Sequence, residues 1–312
     1  MRPALLIHGP TASGKTRLAI ALAKKLDGEI VNADAMQVYR DLNVLTARPD
    51  AEELGQATHH LFGHIDASAR YSAGAWAKEA GSLIASLRAA DRVPIVVGGT
   101  GLYLMALTDG LSEIPPIPEA ARAEARARVR ADVGAAYDEL VRIDAKAAER
   151  VEANDKQRIA RALEVWLTTG RPMSSFHGEQ APVLKAGEWT GVTLTPPREA
   201  LYERINARVE KMMKQGAQEE ARALWSRKLD PELPAMRAHG MPGFVEHFIG
   251  RLTLEEAVER CKRDTRRYAK RQMTWIAHQF TTWTRLPSQA LDVRTRVCGE
   301  LYREAVEAAD LA

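Results

Sequence analysis

The sequence predicts an α/β fold: a parallel sheet core, interrupted by a helical insertion and completed by helices toward the C-terminal end. Three observations carry this. Short runs at Ala4–Ile7, Glu29–Val31 and Val93–Val97 read as buried strands separated by stretches with helical spacing, and strands alternating with helices imply parallel pairing. A stiff stretch, Ile114-Pro115-Pro116-Ile117-Pro118, then opens a run rich in Ala, Arg and Glu from Glu119 to about Thr169, whose periodicity is helical. A strand at Gly191–Leu194 returns the chain to the core before further helices.

Taken in order, Ala4–Ile7 is an apolar strand, and Gly9–Thr16 a loop bounded by glycines. Arg17–Leu26 is a helix with Leu18, Ala19, Leu22 and Leu26 on one face, stopped by Asp27-Gly28. The second strand ends near Asp34. A further strand is expected over His60–Ile65, a helix over Trp76–Ala90, and a fully buried strand at Val93–Val97 followed by turn glycines. After Gly110 the composition changes. The organisation predicted is a first part of the core over residues 1–114, a helical insertion over 115–190 ended by the Gly170-Arg171-Pro172 turn, and core completion over 191–312. That last part holds helices over Arg198–Gln215, Ala217–Lys228 and Leu254–Gln279.

The chain has 312 residues, 46% of them hydrophobic and 27% charged, which permits a substantial core and argues against wholesale disorder. A net charge of +3 allows nucleic acid binding without arguing for it. The two cysteines, Cys261 and Cys298, have no metal-ligand spacing and fit a reducing compartment. No apolar stretch is long enough to span a membrane, so the expectation is a soluble, cytoplasmic protein, with no separate association segment to make it more than a monomer.

Gly9, Pro10, Thr11, Ala12, Ser13, Gly14, Lys15 and Thr16 match the phosphate-binding pattern G-x-x-x-x-G-K-[ST] at every defined position, between a strand and a helix. Such a loop turns backbone N–H groups toward phosphate oxygens, and the helix N-terminus adds favourable partial charge. Lys15 is placed to neutralise phosphate, and the Thr16 hydroxyl to bind Mg²⁺. The core is accordingly P-loop NTPase-like. The motif specifies a phosphate ester but not which one, so nucleotide-binding, ATP-binding and small-molecule or nucleotide kinase readings stand beside any other. Against an ordinary NTPase, the cleanest later strand, Val93–Val97, runs into Gly98-Gly99-Thr100-Gly101 rather than a metal-binding acid.

The strongest electrostatic feature is the last of these helices. Between Arg260 and Arg271 it carries Arg260, Lys262, Arg263, Arg266, Arg267, Lys270 and Arg271 against the single acid Asp264. Arg263, Arg267 and Arg271 form one stripe, and Lys262, Arg266 and Lys270 another. The pattern predicts a phosphate-binding surface, toward RNA or toward a small diphosphate. His59, His60 and His64 might suggest a metal cluster, but a strand sets His60 and His64 too far apart, and they read as structural or surface residues.

The chain resembles the tRNA dimethylallyltransferases (tRNA isopentenyltransferases). The resemblance is carried by Gly9–Thr16, Asp34–Tyr39, Thr46–Pro49, His59–Leu61, Tyr71–Ala73 and Gly98–Tyr103. It continues through Asn154–Ile159, Arg161–Val165 and Tyr268–Trp275. Two positions depart from the family pattern: Ala35 stands where Ser is usual, and Gly240-Met241-Pro242-Gly243 stands where Gly-Tyr-[Lys/Arg]-[Glu/Gln] is usual.

The resemblance implies transfer of a dimethylallyl group from dimethylallyl diphosphate to N6 of adenosine 37 in a tRNA anticodon stem-loop, with Mg²⁺ present. It implies that Asp34 is the catalytic base, because the exocyclic amine gains positive charge as it attacks and must lose a proton, and that Thr100 stands near the reacting base. It implies tRNA contacts from Asp34, Ala35, Met36 and Gln37, where the Gln37 amide suits an adenine edge. Further contacts are implied at Gln157, Arg158, Ile159, Ala160 and Arg161 in the insertion, and at Arg237, Gly240, Arg263, Arg267 and Arg271.

Overall fold

The computed structural model describes residues 2–176, 178, 181–287 and 290–311. The chain opens with β1 (Ala4–His8), α1 (Lys15–Leu26), β2 (Gly28–Asn32), α2 (Ala51–Leu54), β3 (His59–His60), α3 (Ala73–Ala89), β4 (Val93–Gly98) and α4 (Gly101–Thr108). Four helices follow: α5 (Glu119–Ala131), α6 (Val133–Ile143), α7 (Ala145–Ala148) and α8 (Lys156–Thr169). The remainder is β5 (Trp189–Leu194), α9 (Arg198–Lys214), α10 (Ala217–Ser226), a 3₁₀ turn at Pro234–Arg237, α11 (Met241–Phe248), α12 (Leu254–Gln279), β6 (Thr284–Leu286) and α13 (Leu291–Asp310).

The six strands form one parallel sheet in the order β3-β2-β4-β1-β5-β6. The central strands β1 and β4 pair from Leu5–Ile95 to His8–Gly98 and are buried along their whole length. They read as continuous apolar runs because helices cover both faces of a parallel sheet. α1 packs Leu18, Ala19 and Leu22 into the same core as Ile7, Ile30 and Ile95. The chain leaves β1 for β2 in one direction and later leaves β4 for β5 in the other. The carboxyl ends of β1 and β4 therefore flank a topological switch point, where ligands bind in open α/β sheets.

The strand expected over His60–Ile65 is confined to His59–His60. Leu61 (φ 62°) and Gly63 (φ 58°) adopt left-handed backbone that a strand cannot carry, and Ile65 makes only an isolated bridge to Tyr39.

The chain divides into two compact units. The larger, Met1–Thr108 with Val183–Ala312, holds the sheet; the smaller is Asp109–Pro182. The sequence placed the insertion at 115–190. The unit begins earlier because residues from 109 onward have already left α4, and it ends earlier because Val183 and Leu184 belong to the larger unit, where the Leu184 amide bonds Leu107 O at 2.8 Å. Within the smaller unit, α5, α6 and α8 enclose a core of Ala125, Leu140, Ile159 and Leu163. The buried Asp144 carboxylate accepts from the Ala147 and Ser174 amides at 3.0 and 2.8 Å.

Candidate active site

The loop after β1 enters α1 through two residues with positive φ, Ala12 (60°) and Gly14 (87°). Gly14 occupies the N-cap of α1 with no side-chain cap, and the first turn of the helix holds no acid. The orphan amides of that turn therefore stay available to an anion. Lys15 Nζ donates to Pro10 O at 3.3 Å across the loop. Burial lowers its pKa to about 8; Asp34 acts against the shift and Arg208 adds to it. Beneath the loop His8 is fully buried at the end of β1, and burial, with Lys15 nearby, holds its pKa down to about 3, so it stays neutral.

Asp34 lies two residues past the end of β2. The buried Asn32 side chain fixes it there: Asn32 Oδ1 accepts from the Asp34 amide at 2.9 Å, and Asn32 Nδ2 donates to Asp34 O and Leu61 O at 3.1 and 3.0 Å. Asp34 Oδ1 accepts from the Met36 amide at 3.0 Å. The carboxyl end of β4 presses against this turn. A Cβ on Gly98 would come within 1.9 Å of Ala33 O, so only glycine fits there. One residue beyond Gly99, Thr100 donates its amide to Ala33 O at 3.1 Å, and its Oγ1 accepts from the Ala35 amide at 2.9 Å. Burial, with Asp34 nearby, raises the pKa of the Tyr268 phenol, which stays protonated, and the neighbouring Thr100 acts against the shift.

The phosphate loop and the Asp34 turn face a common cavity of about 60 Å³. Thr11, Asp34, Thr46 and Arg208 supply its polar wall, Leu45, Ile205, Val209, Met212 and Cys261 its apolar wall, and Tyr268 and His239 complete it. His239 packs on Tyr268 with ring centroids 4.5 Å apart, and burial lowers its pKa. Arg208 also lines an open polar cleft of about 550 Å³ together with Thr16, Arg48, Asp50, Glu53 and Lys211.

Three residues of this site went unassigned in the sequence. Arg208, on α9, donates to Thr11 Oγ1 at 3.2 Å and to Thr46 O at 3.3 Å. Glu220, on α10, accepts the amides of Asn43 and Val44 on one oxygen at 2.8 Å each and that of Leu45 on the other at 2.9 Å. Gln272, on α12, meets the Thr11 amide at 2.9 Å. Each is an ordinary polar side chain on an amphipathic helix, and only the tertiary fold gives it a target.

The remaining expected residues separate into groups. Gln37 spends both amide hydrogens on Thr46 O and Ala47 O, at 2.9 and 3.0 Å, so it keeps only its oxygen for a base edge. In the smaller unit, Gln157 and Arg158 are exposed and Arg161 partly so, whereas Ile159 and Ala160 are buried in that unit's core. The RNA contact expected of those two side chains is corrected accordingly: α8 turns them inward, because the helical period sets them on its apolar face. Arg237 pairs with Glu232. Gly240 is buried with φ 100°, and Met241-Pro242-Gly243 forms the first turn of α11. The two basic stripes of α12 part company. Lys262 and Arg266 engage Glu210 and Asn206 of α9, at 3.2 and 2.5 Å, while Arg263, Arg267 and Arg271 are exposed. Cys261 and Cys298 are free, buried thiols. Among the described residues no cluster of three or more His, Cys, Asp or Glu could hold a metal, and no helix is long and apolar enough to cross a membrane.

Comparison with known proteins agrees over the full chain. A family model described as IPP transferase matches residues 37–279, and one described as isopentenyl transferase matches residues 3–68. A tRNA dimethylallyltransferase of Hyphomonas neptunium is 55% identical over 312 residues, covering 99% of this chain and 98% of the relative. One from Maricaulis maris is 48% identical over 287 residues, 92% of this chain and 93% of the relative. Among solved structures, the full-length tRNA isopentenylpyrophosphate transferase of Bacillus halodurans superposes with a TM-score of 0.72 at 33% identity, over 100% of this chain and 99% of that one. A eukaryotic dimethylallyltransferase, described as acting on tRNA, gives 0.75 at 31% identity, over 88% of this chain and 70% of that one.

Proposed function

The chain belongs to the IPP transferase family of tRNA dimethylallyltransferases, and from that premise we propose how its own residues move a dimethylallyl group from dimethylallyl diphosphate to N6 of adenosine 37 in tRNA. The observation that carries the assignment of roles is that Thr11 of the phosphate loop and Asp34 line one cavity with an apolar wall. That arrangement suits a diphosphate and its alkyl group beside a base that collects a proton. The kinase alternative is not favoured, because the matched relatives are prenyltransferases over nearly their full length.

In this reading the diphosphate lies against the amides opening α1, with Lys15 and Arg208 balancing its charge. The dimethylallyl group occupies the space walled by Leu45, Ile205, Val209 and Met212. The adenine leaves its stack to enter from the Asp34 side, at a cost of a few kcal/mol that contacts in the pocket offset. Its N6 lone pair attacks the primary allylic carbon; the N–C bond forms as the C–O bond to diphosphate breaks, and the amine proton passes to the Asp34 carboxylate. Thr100 holds the turn carrying Asp34 in place. The exposed stripe Arg263, Arg267 and Arg271 faces RNA phosphates, while the paired stripe braces α9.

Mg²⁺ fits this donor set. Thr16 lines the polar cleft, and its hydroxyl would hold Mg²⁺ together with phosphate oxygens and water, the oxygen donors this ion takes without a protein cage. When bound, it adds positive charge at the departing diphosphate. A monomer is the working state. A cytoplasmic location agrees with two free thiols and with a tRNA substrate. The test is transfer of labelled dimethylallyl from its diphosphate into anticodon stem-loop RNA. Asp34→Ala is expected to lower kcat by about 10²–10⁴-fold while RNA binding persists. Unchanged transfer by that variant would remove Asp34 from the mechanism.

A further inference from the structure

We infer that Gln272 is a positioning residue for the transfer step: its buried carboxamide ties the loop that holds the donor to the loop that holds the acceptor side. This rests on the reading that Gly9–Thr16 binds the donor diphosphate.

Gln272 is 4% exposed and lies on α12, far in sequence from both loops. Its Oε1 accepts from the Thr11 amide at 2.9 Å, and its Nε2 donates to Gly99 O at 2.7 Å. Thr11 belongs to the phosphate loop; Gly99 precedes Thr100, which holds the Ala35 amide beside Asp34. One side chain thus links the donor loop after β1 to the base-side loop after β4. The neighbours are shaped around it, since a Cβ on Gly99 would come within 2.2 Å of Gln272 Nε2.

The chemistry of the link is specific. One loop offers an N–H and the other a carbonyl, so the brace must accept at one end and donate at the other. A neutral carboxamide does both, an ionised carboxylate only accepts, and lysine or arginine only donates. Asparagine has the right groups on a shorter stem. The carboxamide and its bond to Gly99 O are buried, so an amide or carbonyl left unpaired there carries much of its desolvation penalty.

The bond also directs the Thr11 N–H away from the diphosphate. Donor capture is left to Lys15, Arg208 and the amides opening α1, none of which Gln272 touches. Loss of the brace therefore loosens the spacing between leaving group and base more than it weakens donor binding, and its effect falls on kcat rather than on KM. Misplacements of about 1 Å cost on the order of 10²-fold in rate.

The experiment is steady-state transfer into stem-loop RNA by Gln272→Leu and Gln272→Glu beside wild type, with binding of an unreactive dimethylallyl thiodiphosphate measured in parallel. Gln272→Leu is expected to bind the analogue and RNA as wild type does and to lose about 10²-fold in kcat. Gln272→Glu is expected to be equally poor at neutral pH, and its kcat relative to wild type is expected to climb as pH falls. A neutral carboxyl accepts through its carbonyl oxygen and donates through its hydroxyl, which restores both bonds. Wild-type kcat in Gln272→Leu overturns the inference. So does a Gln272→Glu to wild-type ratio that stays low at every pH, and that ratio decides the matter if the leucine variant fails to fold. Lys15→Ala tests the underlying reading separately: analogue binding that survives it removes the diphosphate from the phosphate loop, whatever Gln272 does.

Discussion

Thr100 Oγ1 accepts the Ala35 amide at 2.9 Å, so a hydroxyl at the end of β4 holds the residue next to Asp34. Thr100 also gives its backbone N–H to Ala33 O at 3.1 Å. Thr100→Val keeps the branched shape and the backbone bond but removes the acceptor, leaving the Ala35 amide unpaired. It is expected to lower kcat by about 10–10²-fold with the fold intact, and Thr100→Ser to recover most of the loss. A valine variant with wild-type kcat would show that the turn holds Asp34 without this bond.

Lys15 sets a pH dependence for donor capture. Its pKa is lowered to about 8 by burial in the absence of an anion. A bound diphosphate favours the charged ammonium and raises that pKa, so binding above pH 8 takes up a proton. Phosphate esters complete their last ionisation with a pKa of about 6, so above pH 8 the donor contributes no compensating change. The donor KM is expected to be flat with respect to Lys15 below pH 8 and to rise as pH climbs past it, measured by transfer kinetics from pH 7 to 10. Lys15→Arg stays charged throughout and is expected to lose the rise, though at a weaker baseline affinity. For stability the sign is the reverse of a lysine gaining a partner. The folded pKa lies below the unfolded value, so the cost of burying the charge is fully present below pH 8 and is relieved as pH rises from there toward the unfolded pKa.

Glu220 organises the wall of the cavity from a distance. Three successive amides, Asn43, Val44 and Leu45, converge on its carboxylate. The same loop is gripped on its carbonyl side by Gln37 and Arg208 at Thr46. Glu220→Ala leaves those amides without their shared acceptor and is expected to cost about 1–3 kcal/mol of stability, read from denaturant unfolding. It is also expected to raise the donor KM, because Leu45 and Thr46 line the cavity. A stability loss with an unchanged donor KM would separate the loop from donor binding.

How much of this was legible beforehand depends on how local each signal is. β1, β4, α1 and α12 stand out because an unbroken apolar run or a regular stripe needs no tertiary context. α4 did not, because Gly101–Thr108 is apolar on every side and carries no helical period. β6 is three residues long, too short for a pattern, and α13 begins at Leu291 after Ala290, whose side chain supplies no cap. In the site, the phosphate loop and Asp34 are contiguous motifs beside strand ends. Arg208, Glu220 and Gln272 are not: their partners lie far away in sequence, and although Gln272 falls on the buried face of α12 with Ala269 and Ile276, its helix does not say what it meets. The reverse also occurs, since Ile159 and Ala160 lie inside a basic block yet point inward.

The two basic stripes of α12 make the final expectation. Lys262 donates to Glu210 at 3.2 Å and Arg266 to Asn206 at 2.5 Å, so two members of that stripe engage α9, while Lys270 is exposed. Arg263 and Arg267 are exposed and among the described residues pair with Asp264, at 4.0 and 3.8 Å, which Arg260 also meets at 3.7 Å. Exposed pairs of that kind contribute little to stability, which leaves both guanidinium groups available to phosphate. Arg263→Ala with Arg267→Ala is expected to leave the melting temperature nearly unchanged and to weaken stem-loop RNA binding. The slope of log affinity against log salt should become shallower by about 1 for each phosphate that is no longer neutralised. Arg266→Ala is expected to do the opposite, lowering stability with little change in the salt slope. Titrations of labelled stem-loop over a series of salt concentrations read both. An unchanged slope in the double variant would move the RNA surface off this helix face, and a changed donor KM with unchanged RNA binding would assign the exposed stripe to the diphosphate instead.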